Sequence, residues 1–141
     1  MTISIPIKIL ILGEEGFHLL VKMRVNGRFA CLVIDTGASK TAFDKKRIKR
    51  FLGKEKFEKQ DKLSSGLGTS TMKTHLAVIK KISLGKVEIK NYKTMVIDFS
   101  HVMIAYKRMK QKPVDGVLGS DILKKYKAVI DYGKKKLTIS I

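Results

Sequence analysis

"FHLLVKMRVNGRFACLVIDTG", residues 17–37, holds two extended runs, the dipeptide that joins them and an acid at the exit of the second. Phe17, Leu19, Val21, Met23 and Val25 alternate with polar or intermediate residues, the period of a strand with one buried face. Asn26-Gly27 supplies the dipeptide that a two-residue hairpin turn prefers. The return strand, "RFACLVI" (28–34), ends in four consecutive apolar residues and so reads as buried on both faces. A strand of that kind is expected to deliver Asp35 into a site screened from bulk water, where a carboxylate is chemically useful. The residues after it suit such a site. Thr36 can donate and accept a hydrogen bond, Gly37 lets the backbone turn sharply, and the small Ala38 and Ser39 leave room for a ligand. The plainer alternative is an ordinary turn after a strand, with Asp and Gly in their usual turn roles.

Outward from the hairpin, the chain reads as one compact, mainly β domain over residues 1–141. Its length and 44% apolar content suffice for a single core. Further strands are expected at "THLAVIKKISL" (74–84), "VEIKNYKTMVIDF" (87–99), "AVIDY" (128–132) and "KKLTISI" (135–141), with turns at Gly85-Lys86 and Gly133-Lys134. Two short helices interrupt them. One follows Asp44 as N-cap, with Ile48, Phe51 and Leu52 on one face and Gly53 as its stop; the other is "SDILKKY" (120–126). The fold class is therefore all-β, with one or two short helices.

The apolar start "ISIPIKILIL" (3–12) is shorter than the roughly 20 residues that a bilayer requires and is interrupted by Pro6 and Lys8. No membrane span and no signal peptide are expected. A single cysteine, Cys31, excludes an internal disulfide and favours a reducing cytoplasm, with core packing as its role. The three histidines fit no ligand motif, so neither metal nor cofactor is expected. Lys and Arg outnumber Asp and Glu by 30 to 12, a formal charge of +18. Such a field either keeps the surface solvated or attracts a polyanion such as nucleic acid or an acidic protein. The basic peak at 44–62 lacks the interleaved aromatics of a base-stacking platform.

Three segments together carry a family resemblance. "LVIDTGAS" (32–39) is similar to the active-site signature of aspartic peptidases, in which two hydrophobic residues precede Asp-Thr-Gly and a small residue follows. "VDGVLGSDILKKY" (114–126) resembles the second signature of that superfamily, a loop of two hydrophobic residues and glycine, here Val117-Leu118-Gly119, that passes behind the catalytic loop into a short helix. "SSGLGTST" (64–71) lies between them, where those enzymes place a glycine-rich flap. The resemblance covers about residues 17–141 and is to the single-lobe, retropepsin-like branch, since Asp-Thr-Gly occurs once. It implies a closed β-barrel-like lobe and hydrolysis of peptide or protein substrates. Asp35 would be the catalytic carboxylate, held by Thr36 and Gly37, with Ala38, Ser39, Gly66, Leu67, Gly68 and Thr69 against the substrate.

Aspartic peptidases need two carboxylates that share a proton, and one chain supplies one. "VIDYG" (129–133) resembles a second copy but replaces the small hydroxyl with Tyr132, so Asp131 reads as a hairpin-end residue; Asp98 in "VIDFS" lacks the glycine. A homodimer in which each chain gives Asp35 is the remaining route. Similar enzymes pair their terminal strands across the dimer, and "ISIPIKILIL" and "KKLTISI" are expected to do so here, in preference to pairing within one lobe. Leu67 in place of an aromatic near the flap tip departs from the pattern, as does the basic excess. The rival reading is a non-catalytic basic β-domain that binds nucleic acid or acidic protein, with Asp35 structural.

Overall fold

The computed structural model describes residues 1–53, 58–66 and 69–141, with Glu15 and the stretches 58–66 and 69–74 described by their backbone alone. After β1 (Thr2–Ile11), the strands β2 (Phe17–Val25) and β3 (Arg28–Ile34) pair antiparallel with Val25 opposite Arg28. Asn26 and Gly27 lie at φ 50° and 83°, two successive left-handed residues that give the loop the same twist as its strands. Leu19, Val21, Met23 and Val25 are buried as their alternation predicts. Phe17 is not. It is 64% exposed, opposite the equally exposed Ile11 at the outer end of the β1–β2 ladder.

The chain continues through β4 (Ala42–Asp44), the short helix α1 (Lys49–Leu52), β5 (Glu58–Gly66), β6 (Thr69–Leu84) and β7 (Val87–Ile97). It then forms α2 (Ser100–Arg108), β8 (Gly116–Leu118), α3 (Ser120–Lys125), β9 (Val129–Asp131) and β10 (Lys136–Ser140). The expected all-β lobe is present. β3 pairs parallel with β8, β8 antiparallel with β4, β4 parallel with β7 and β7 antiparallel with β6; β6 then meets β2 at Val25↔Ile82. The six strands β2, β3, β8, β4, β7 and β6 thus close into a barrel, which leaves few strand edges to solvent. Leu32, Phe43, Ile79, Ile82 and Leu118 are fully buried inside it.

Asp44 ends β4 and is buried; its carboxylate accepts the Arg47 N–H at 3.0 Å and the Phe99 N–H at 3.0 Å. It therefore caps the turn before α1 and also pins the end of β7. Ile48, Phe51 and Leu52 pack into the core, and Gly53 stops the helix at φ 62°, as expected.

α2 corrects the expectation of at most two helices, because "SHVMIAYKR" forms a third just beyond the expected strand 87–99, where no element was expected. Its Tyr106, with the neighbouring Val102, Met103 and Met109, packs against Leu10, Leu12, Val33 and Val114 in a second apolar cluster outside the barrel. β3 consequently lies between two cores, with Leu32 and Ile34 turned inward and Val33 turned outward. That arrangement accounts for its unbroken apolar run. Cys31 is half-buried beside the outer cluster rather than inside the barrel. Burial and the nearby Asp115 push its thiol pKa up, which leaves little reactive thiolate at neutral pH.

The terminal strands overturn the expected cross-dimer pairing. β1 pairs with β10 of the same chain from Thr2↔Ser140 to Pro6↔Lys136, and with β2 from Ile7↔Val21 to Ile11↔Phe17. Apolar Ile5, Leu137 and Ile139 are buried by that pairing in the core of a single chain. Among the described residues, no helix is long and apolar enough to cross a membrane.

Candidate active site

Asp35 follows directly from β3, and the loop it opens is fastened to β8 and α3. Its backbone N–H donates to the Leu118 carbonyl at 3.0 Å, which extends the β3–β8 pairing by one bond. Its carbonyl accepts the Ala38 N–H at 3.2 Å to close a turn, and the Ala38 carbonyl accepts the Ser120 N–H at 2.7 Å. Within the turn, the Gly37 N–H donates to Asp35 Oδ1 at 3.0 Å, which fixes the carboxylate plane. The other oxygen, Oδ2, has no hydrogen-bond partner among the described residues.

The apolar strand does not bury this acid. Burial ends at Ile34, and Asp35, Thr36, Gly37 and Ser39 are exposed, with Ala38 half-buried. The expected screened site is thus corrected for one chain. The loop bonds displayed here hold the turn rigid from below while its outer side faces solvent.

Rigidity beneath the loop comes from a polar network, buried at Thr41, Thr94 and Gly119 and half-buried at Tyr92 and Asp121, that sequence reading missed. Thr41 Oγ1 accepts the Gly119 N–H and donates to Asp121 Oδ1, each at 2.9 Å, while the Thr41 N–H reaches the same carboxylate oxygen at 2.9 Å. Asp121 Oδ2 accepts the Tyr92 hydroxyl, and the Thr94 hydroxyl donates to the Thr41 carbonyl at 3.1 Å. Burial, reinforced by the carboxylate of Asp121, raises the Tyr92 pKa far above that of a free phenol. Such a network is stabilising because each member is satisfied. Gly119 is required for its geometry. A β-carbon there would lie 2.6 to 2.8 Å from Lys40 and Thr41 backbone atoms, closer than packing allows. Gly116 is confined in the same way by the Ala42 carbonyl. No local spacing reveals the network, because Thr41 and Asp121 are 80 residues apart.

Other acids have structural partners. Asp131 Oδ1 accepts the Lys134 N–H at 2.8 Å, the hairpin-end role expected of it. Asp98 accepts the Ser100 N–H at 2.8 Å, and hydrogen bonding from the Ser100 side chain, with this backbone bond, lowers its pKa. Asp115, buried ahead of β8, accepts the Cys31 N–H at 2.9 Å and Arg47 Nε at 2.7 Å, with Arg50 at 3.3 Å. Of the remaining predicted site residues, Gly66 and Thr69 pair with each other at the end of the β5–β6 hairpin. Leu67 and Gly68 lie outside the described residues.

Comparison with known proteins places this geometry. A family model described as aspartyl protease matches residues 21–122. Among curated proteins, none matches the chain by sequence. The fold is similar to that of a retropepsin-like aspartic protease from Rickettsia conorii, with TM-score 0.62 and 23% identity over 99% of this chain and 89% of that one. It is also similar to the retroviral protease-like domain of Ddi1 from Leishmania major (TM-score 0.54, 18% identity, 86% of this chain, 87% of that chain). The EIAV protease, solved with the inhibitor HBY-793, aligns at TM-score 0.53 and 20% identity over 75% of this chain and 85% of its own. With the family matched from β2 through the first turn of α3, and the Asp35 loop seated on the Val117-Leu118-Gly119 segment, this chain belongs to the aspartyl protease family and folds as a retropepsin-like lobe.

Proposed function

We propose that the chain is a homodimeric endopeptidase in which Asp35 of each subunit faces its mate across a two-fold axis. The observation that carries this reading is the exposed, rigidly mounted Asp35-Thr36-Gly37 turn, which occurs once per chain. A lone carboxylate open to water cannot act as acid and base at once. Two that share a proton can, because close like charges oppose double ionisation. The ionised member takes a proton from water as the oxygen attacks the peptide carbonyl. Its protonated mate donates to the carbonyl oxygen, and the tetrahedral intermediate collapses as a proton reaches the amide nitrogen.

The Gly37 N–H orients Asp35 Oδ1 and leaves Oδ2 for water. Thr36, exposed beside it, is positioned to bond the partner subunit's loop. Ala38 and Ser39 border the substrate, and the segment Gly66 to Thr69, with Leu67 and Gly68, covers an extended peptide and bonds its main chain.

Asp35→Asn tests the reading directly. It keeps the shape and the Gly37 bond but cannot accept the proton from water. Cleavage of a mixed peptide pool, read by mass spectrometry, should fall by roughly a thousandfold or more while the melting temperature stays level or rises. A folded Asp35→Asn protein that cuts at the unmutated rate would rule the mechanism out.

A further inference from the structure

β1 leaves β2 at Ile7↔Val21 to pair with β10, and β6 joins β2 only at Arg24 and Val25. On that side, Lys22 and Met23 of β2 have no neighbouring strand among the described residues. A half-open groove of about 860 Å³ forms at this split, within the size range of ligand sites. Its accessible apolar surface includes Leu20, Phe29 and Pro113, above the buried Val21, Met23 and Val114. Five cations also line it, namely Lys8, Lys22, Arg24, Lys110 and Lys112, all of them exposed. No Asp or Glu is among the lining residues. Phe29 is 62% exposed, and the Arg24 guanidinium lies 4.4 Å over its ring, which sets that charge at the groove wall.

The groove is separate from Asp35. Cys31, its lining residue of β3 nearest in sequence, precedes Asp35 by four residues, or about 13 Å along an extended strand. Apolar walls would be wasted on a purely polar polyanion, and a neutral apolar ligand would leave five cations without counter-charge. An extended peptide bearing both kinds of side chain satisfies both, and the unpaired stretch of β2 gives its main chain an edge to follow. We propose that this groove docks an acidic, apolar-containing segment of another polypeptide, with its carboxylates on the five cations and its apolar side chains against Leu20, Phe29 and Pro113.

Binding is measured on the full-length Asp35→Asn chain, so that the result is independent of the peptidase reading and the probe is not cut. The probe is a fluorescent peptide that alternates Glu with Leu and Val; oligoglutamate and single-stranded RNA of equal charge are the comparators. The triple change Lys22→Glu, Arg24→Glu and Lys112→Glu should weaken peptide binding by about tenfold or more, and Lys124→Glu, Lys125→Glu and Lys127→Glu on the α3 side should weaken it by less than about threefold. On the chain without charge changes, bound peptide should also slow alkylation of Cys31, the only cysteine and a groove residue. That second readout stands even if the triple variant does not fold. Equal losses from the two triple variants, comparators that bind as tightly as the peptide, or alkylation of Cys31 unaffected at saturating peptide would each overturn the proposal.

Discussion

Thr41 shows how much of the Asp35 loop depends on residues that never reach the surface. Its hydroxyl serves Gly119 and Asp121 at once, and its backbone serves Asp121 again. Thr41→Val keeps the shape but leaves the buried Gly119 N–H without an acceptor. We expect a loss of about 2 kcal/mol in chemical denaturation, with peptidase activity reduced even where the variant is fully folded. Two tyrosines give a pH signature at the same scale. Burial raises the Tyr106 pKa from 10.0 to about 12, and the Tyr92 pKa is raised further still. Since the unfolded phenols ionise first, the contribution of these groups to stability is complete below pH 10 and is lost as pH climbs toward the folded-state values. Ultraviolet titration should show tyrosinate that forms only at high pH and that disappears from the titration of a Tyr92→Phe, Tyr106→Phe double variant. Asp121 and Tyr92 could not be read as partners from sequence, because their meeting is made by the barrel and not by local spacing.

Elements with a local signal were legible, and those decided by tertiary packing were less so. The β2–β3 hairpin carried its own alternation and turn dipeptide, and α3 followed from Ile122 and Leu123 after a glycine. Helix α2 had a signal that the β-branched run before it obscured: Val102, Tyr106 and Met109 fall on one helical face, and Asp98 accepts the Ser100 N–H at its start. The apolar run 31–34 reported burial correctly for 32–34, with Cys31 half-buried, but could not say where it would stop, so Asp35 emerges at the surface. Terminal strands were recognised as strands, yet two edges of similar character do not specify whether their partner is in the same chain. The structure resolves this through Leu137, fully buried in the single-chain core. Leu137→Ala should cost about 3 kcal/mol in unfolding free energy. Because the β1–β10 pairing is internal, that loss should be the same at every protein concentration; a loss that shrinks as concentration rises would return the strands to a dimer interface.

At the scale of the whole molecule, the barrel supplies one rigid, exposed carboxylate turn, and the chemistry of peptide hydrolysis asks for two. Each chain carries +18, so association of two copies works against mutual repulsion and is best measured at salt high enough to screen it. The most direct measurement is subunit mixing. Unmutated chain is held at fixed concentration, increasing Asp35→Asn chain is added, and peptide cleavage is followed after the subunits have exchanged. If each active site takes one Asp35 from each of two subunits, random pairing leaves about half of the original activity at an equimolar mixture, and activity continues to fall as inactive chain is added. Activity that stays constant across the whole titration, despite demonstrated subunit exchange, would contradict the shared dyad and show that a single chain cleaves on its own.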